Sequence, residues 1–137
     1  MSFIYKRTAN YYETDMMGIV HHSNHIRYFE EARIAYMRQI GCDVLKMEQE
    51  GIIIPNVDAY AKYLLPVRFG EEVEIEVSLT TFTGARMEYT YTMRKQDGQV
   101  AAQGHTLHCF VNPEFKPISL KRSFPAYFQA LKAILIS

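Results

Sequence analysis

The sequence predicts an α+β fold, in which the apolar face of one antiparallel sheet wraps a long central helix. Three observations carry this. From Ser23 to Ile40, Ile26, Phe29, Ala32, Tyr36, Met37 and Ile40 return at spacings of three and four, the period of one buried helical face. From Glu72 onward the period becomes two, as Val73, Ile75, Val77 and Leu79 alternate with glutamates, serine and threonine. Helical and strand signals are also segregated along the chain, whereas a parallel sheet would interleave them.

Residues 2–12, rich in Tyr, Phe, Ile and Thr, read as a first strand that ends where Glu13, Asp15 and Gly18 bring turn chemistry. Ser23 or Asn24 is expected to cap the main helix, and Gly41 suits the left-handed position just past its end. A short helix over about Asp43 to Glu50 stops at Gly51. Residues 52–64 read as a strand whose Pro55 belongs at an end, an edge or a bulge, because proline donates nothing to a ladder. Met87, Tyr89, Tyr91 and Met93 alternate with polar residues in a further strand, and Asp97-Gly98 turns the chain into one running from Val100 to Val111. With residues 72–80, these form an antiparallel meander. Ser123-Phe124-Pro125 opens a last helix through about Ile134, with proline in its first turn.

The chain has 137 residues, with 15 basic and 15 acidic side chains. Its length fits one domain over residues 1–137, and its zero net charge argues against a broad basic face for nucleic acid. No apolar run has the length of a membrane span or of a signal peptide's core, so a cytoplasmic protein without membrane insertion is expected. Cys42 and Cys109 have neither disulfide-framework nor zinc spacing and read as reduced.

Asp15 stands in a polar turn between a strand and a helix, followed by Gly18, His21 and His22. A helix start favours the ionised carboxylate and burial opposes it, so the sequence leaves its pKa open. The same helix end offers unpaired amides, and acyl transfer needs a base or nucleophile together with donors where negative charge grows on a carbonyl oxygen. By local physics alone, an Asp before a helix is more often a turn or capping residue.

The run Tyr12-Glu13-Thr14-Asp15-Met16-Met17-Gly18-Ile19-Val20-His21-His22-Ser23-Asn24-His25-Ile26-Arg27-Tyr28-Phe29-Glu30-Glu31-Ala32-Arg33 closely resembles the signature of the 4-hydroxybenzoyl-CoA thioesterase family, which includes the acyl-CoA thioesterases associated with the Tol-Pal system. Tyr63 to Glu71 and the strands after it also resemble the family pattern. The resemblance implies a hotdog fold, hydrolysis of an acyl-CoA thioester to free acid and CoA, and assembly into homodimers or homotetramers with sites near the subunit interface. It implies Asp15 as the catalytic carboxylate, acting as nucleophile or as a base on water, and a carbonyl-polarising backbone amide at His22. Gly18, Val20, His21, Asn24 and His25 are the expected substrate-binding residues. His21 and His25 depart from the aromatic residues common in the family.

Because CoA carries phosphates, cations at a pocket rim matter, and Arg86 and Lys62 are the expected CoA-binding residues, with Lys121-Arg122 a further pair. No metal or redox cofactor is expected. His21, His22 and His25 with Asp15 also form a metal-ligand chemistry, but the helix motif H-E-x-x-H is absent. Other readings are another hotdog acyl-thioester enzyme and a non-catalytic acyl-CoA or acyl-carrier binding module. His105 and His108 fall on opposite strand faces, Glu72, Glu74 and Glu76 on a wet face, and Arg33 reads as a salt-bridge or snorkelling residue.

Overall fold

The computed structural model describes residues 2–136. Strand β1 (Phe3–Thr8) is followed by a short 3-10 turn (Tyr11–Glu13), helices α1 (His22–Gln39) and α2 (Val44–Gln49), and strands β2 (Asn56–Tyr63), β3 (Glu72–Phe82), β4 (Arg86–Lys95) and β5 (Val100–Cys109). Helices α3 (Leu120–Ser123) and α4 (Pro125–Ile134) close the chain. The five strands form one antiparallel sheet in the order β1-β3-β4-β5-β2, so β2 is an edge strand.

Alternation in β3 and β4 buries Val73, Ile75, Val77, Leu79, Met87, Tyr89, Tyr91 and Met93 on one face, and α1 lies across it. The helix buries Asn24, His25, Tyr28, Phe29, Ala32, Arg33, Tyr36 and Met37. Phe29 stacks on Tyr91 with ring centroids 4.6 Å apart, and full burial of such a side chain contributes about 2–3 kcal/mol. Close approach here depends on Gly104 of β5, where an added methyl carbon would fall 2.6 Å from the Phe29 ring and against the Tyr60 carbonyl oxygen.

Several boundaries differ from the sequence expectation. The first strand stops at Thr8 because the chain turns at Tyr11–Glu13, where the Glu13 side chain reaches back to the Asn10 amide. The α1 cap is His21 rather than Ser23 or Asn24, since His21 Nδ1 accepts from the Ser23 amide at 3.2 Å. Ile26 and Ile40 lie at the margin of the helix's buried face, with polar Asn24 and charged Arg33 inside it. Arg33 is neither snorkelling nor well paired: it is 6% exposed, and Glu30 approaches only to 4.0 Å. Pro55 precedes edge strand β2, as its chemistry requires, and Gly41 and Gly51 take positive φ at the helix ends.

Candidate active site

Residues 14–20 form a tight hairpin between the 3-10 turn and α1. Thr14 bridges Val20, the Asp15 amide donates to the Ile19 carbonyl (2.9 Å), and the Gly18 amide donates to the Asp15 carbonyl (3.0 Å). This is a three-residue loop of Met16, Met17 and Gly18, and its last position needs the left-handed backbone that Gly18 supplies at φ 78°. Asp15 Oδ1 accepts from the Met17 amide at 2.8 Å, leaving the other carboxylate oxygen for a ligand or water.

The hairpin is clamped from below. Glu13, only 6% exposed, accepts from Tyr28 Oη (2.6 Å), the Asn10 amide (2.8 Å) and the two terminal guanidinium nitrogens of Arg7 (2.6 and 3.0 Å). Burial pushes its carboxyl up, yet Tyr28, the Asn10 amide and Arg7 outweigh that and hold it below the ordinary glutamate value. The Glu13 carbonyl accepts from the His21 amide (2.8 Å) and Asn24 Nδ2 (2.9 Å), so one residue ties together both ends of the Asp15 loop. Arg7 also pairs with Glu31 at 2.8 Å, joining the clamp to α1.

A cavity of about 370 Å³ opens beside the loop, lined by Asp15, Met17, Ile19, Val20, His22, His25, Tyr63 and the segment from Leu64 to Val67. Its wall is mostly apolar, with a carboxylate and the start of α1 on one side. His22 is the first helical residue, so its N–H has no acceptor within the helix, whereas Ser23 and Asn24 are served by His21 Nδ1 and the His21 carbonyl. Tyr63 holds this end: its hydroxyl donates to the His22 carbonyl (3.1 Å) and its ring meets the His25 ring edge-on at 4.7 Å. Burial pushes the His25 imidazole below its ordinary value, which favours its neutral form.

Asp15, Val20, His22 and His25 are thus brought together as expected residues of one cavity. His21 and Asn24 line an adjoining cavity of about 490 Å³ that also touches Asp15, where His21 caps the helix and Asn24 pins Glu13. Lys62 lies beside Tyr63 on the exposed edge strand but does not line the Asp15 cavity. Arg86 pairs with Cys109 while Tyr63 pairs with Ala102, so the two stand about 23 Å apart along β5 within one chain. From the sequence, Glu13 read only as a turn residue and Tyr63–Val67 only as part of the family resemblance, so neither the clamp nor the cavity wall was apparent. Among the described residues, no three His, Cys, Asp or Glu side chains converge as a metal-ligand set.

A five-stranded antiparallel sheet wrapped on one long helix, with a carboxylate at that helix's start, has the build of a hotdog-fold thioester hydrolase. Residues 10–129 match the family model described as the Thioesterase-like superfamily, and the chain belongs to that family. It is 39% identical over 111 residues to a protein of Aquifex aeolicus (strain VF5) provisionally named an esterase, covering 81% of this chain and 86% of that one. It is 31% identical to YneP of Bacillus subtilis (strain 168), provisionally named an acyl-CoA thioesterase, over 89% of each chain. Its structure superimposes on the DHNA-CoA thioesterase from Staphylococcus aureus with a TM-score of 0.93 at 31% identity, covering 97% of this chain and 90% of that one.

Proposed function

We propose that the protein hydrolyses an acyl-CoA thioester to the free acid and CoA, with Asp15 as the reacting carboxylate. The carrying observation is that Asp15 and His22, the first residue of α1, line one largely apolar cavity, in a chain of the thioesterase-like family. The acyl group occupies the wall formed by Met17, Ile19, Val20 and Leu64 to Val67, and its carbonyl oxygen accepts from the His22 amide. That donor, fixed by the helix, stabilises the charge growing on the oxygen without reorganising.

Two routes share this geometry. As a base, Asp15 removes a proton from water while the water oxygen bonds to the carbonyl carbon; the tetrahedral oxyanion then collapses, the C–S bond breaks, and CoA leaves as the thiol with that proton. As a nucleophile, a carboxylate oxygen of Asp15 bonds to the carbonyl carbon and expels CoA thiolate, and water then cleaves the mixed anhydride. His25, neutral and beside the cavity, orients water or substrate. Neither route calls on a metal or redox cofactor.

The assembly proposed is a homodimer or a homotetramer. Edge strand β2 supports it, since its outer edge is unpaired and Val57, Tyr60 and Tyr63 on it are exposed. Lys62 on that strand would meet CoA phosphates at the rim, and Arg86 would serve them only when a second subunit carries it there. The test is thiol release from a panel of aliphatic and aromatic acyl-CoAs. Turnover of at least one supports the reading; saturable binding of acyl-CoA with no thiol released by any member refutes it.

A further inference from the structure

A second polar cavity of about 280 Å³ lies farther along α1, lined by Ile26, Glu30, Arg33, Ile54, Asn56, Thr106 and His108. None of its residues belongs to the Asp15 cavity. Its inner wall is a chain of hydrogen bonds, with Tyr91 Oη to Thr106 Oγ1 at 2.6 Å and Thr106 Oγ1 to His108 Nε2 at 2.8 Å. That chain leaves His108 Nδ1 without a partner, and Arg33 Nε is likewise unpartnered. Both side chains are more than nine-tenths buried, at 0% and 6% exposure.

A guanidinium withdrawn from water needs a hydrogen-bonded anion. The only carboxylate within ion-pair reach of Arg33 among the described residues is Glu30. It is mostly exposed, at the cavity mouth, and touches Arg33 at the 4.0 Å limit with no hydrogen bond. Its other partners are uncharged: Met37 Sδ at 3.9 Å, a poor acceptor, and the Tyr91 hydroxyl. Burial and the nearby Arg33 charge keep His108 neutral down to about pH 3, so it offers a ring nitrogen without adding a second cation. Asn56 and Thr106 complete a polar lining large enough for a planar anion.

We propose that this cavity is a binding site for a carboxylate group, held by Arg33 in a two-pronged pair and by Asn56 and His108 beside it. The incoming carboxylate displaces Glu30 into solvent. The group arrives either on a free small acid or as the far end of an acyl chain. Both cavities flank the seam between α1 and β2, and His22 and Arg33 are about 16 Å apart along the helix. The acyl-chain source rests on the thioesterase reading; binding of a free acid does not.

The experiment is calorimetric titration of the full-length protein with sodium acetate, against sodium chloride at equal ionic strength. A parallel arm compares binding of dodecanedioyl-CoA, thioesterified at one end, with that of dodecanoyl-CoA. Expected is saturable acetate binding, or tighter binding of the dicarboxylyl thioester, weakened at least about tenfold by Arg33→Gln. Glu30→Gln, a change at an exposed position that leaves folding intact, removes the competing charge and tightens the same ligand several-fold. Acetate binding assigns a free acid; preference for the dicarboxylyl thioester alone assigns the acyl terminus. If neither probe is favoured by wild type, or if Glu30→Gln leaves every affinity unchanged, the proposal is overturned.

Discussion

Replacing Glu13 by glutamine tests the clamp that holds the Asp15 loop. The substitution keeps the shape but removes the charge that accepts from Tyr28 at 2.6 Å and from Arg7 at 2.6 and 3.0 Å. It also sets an amide donor against the Arg7 donors. Breaking a buried ion pair on one side costs about 3–5 kcal/mol, and the low end applies because Arg7 keeps Glu31 at 2.8 Å. A loss of about 3 kcal/mol lowers Tm by about 10 °C in a chain of this length. The Glu13 pKa is depressed in the folded state, so its contribution is fully present above the unfolded value near about 4.3. It fades as pH falls through the lower folded value. Urea unfolding of wild type and Glu13→Gln at pH 7 and pH 3 measures both effects. A difference below about 1 kcal/mol at pH 7, or one equally large at pH 3, refutes the reasoning.

Gly104→Ala should destabilise by about 1–3 kcal/mol in urea unfolding, because the new methyl meets the Phe29 ring and strand backbone that cannot both retreat. Gly18→Val forces a β-branched residue into a positive-φ loop position beside Asp15, and kcat should fall more than stability. Tyr63→Phe removes only the hydroxyl that steadies the His22 carbonyl; kcat should drop several-fold while Tm stays within about 1–2 °C, as measured by scanning calorimetry. In NMR titration the His108 ring should show no protonation between pH 8 and pH 5. The unfolded chain takes up that proton near about pH 6.5 and the folded one only near 3, so His108 makes stability decline as pH drops below the unfolded value.

The sheet and the long helix were legible because burial imposes its period on the sequence. Val73 to Leu79 and Met87 to Met93 each keep one face dry, and Phe29, Ala32 and Tyr36 repeat at helical spacing. Turns were legible where backbone chemistry is restrictive, as at Pro55, Gly41 and Asp97-Gly98. Contacts made across long stretches of chain were not. Tyr63 reaches the start of α1 only because edge strand β2 runs alongside it, and nothing local to residue 63 records that. Arg33 looked like a surface charge because helical spacing alone does not tell a margin from an interior position, yet it is buried beside His108 and Tyr91. His21 took the cap from Ser23 because an imidazole nitrogen accepts as well as a hydroxyl does. In the site, Asp15 and His22 were read from a family resemblance; their convergence on one cavity gives that reading a geometry.

The most direct measurement is steady-state thiol release by Asp15→Asn on whichever acyl-CoA the wild type turns over best. Asparagine keeps the size of the side chain and can still accept from the Met17 amide, so the loop remains folded, which circular dichroism and Tm verify. With neither a base nor a nucleophile at that position, kcat should fall by about 10²–10⁴-fold with KM little changed. An asparagine variant that keeps wild-type kcat would contradict the assignment of the chemistry to Asp15.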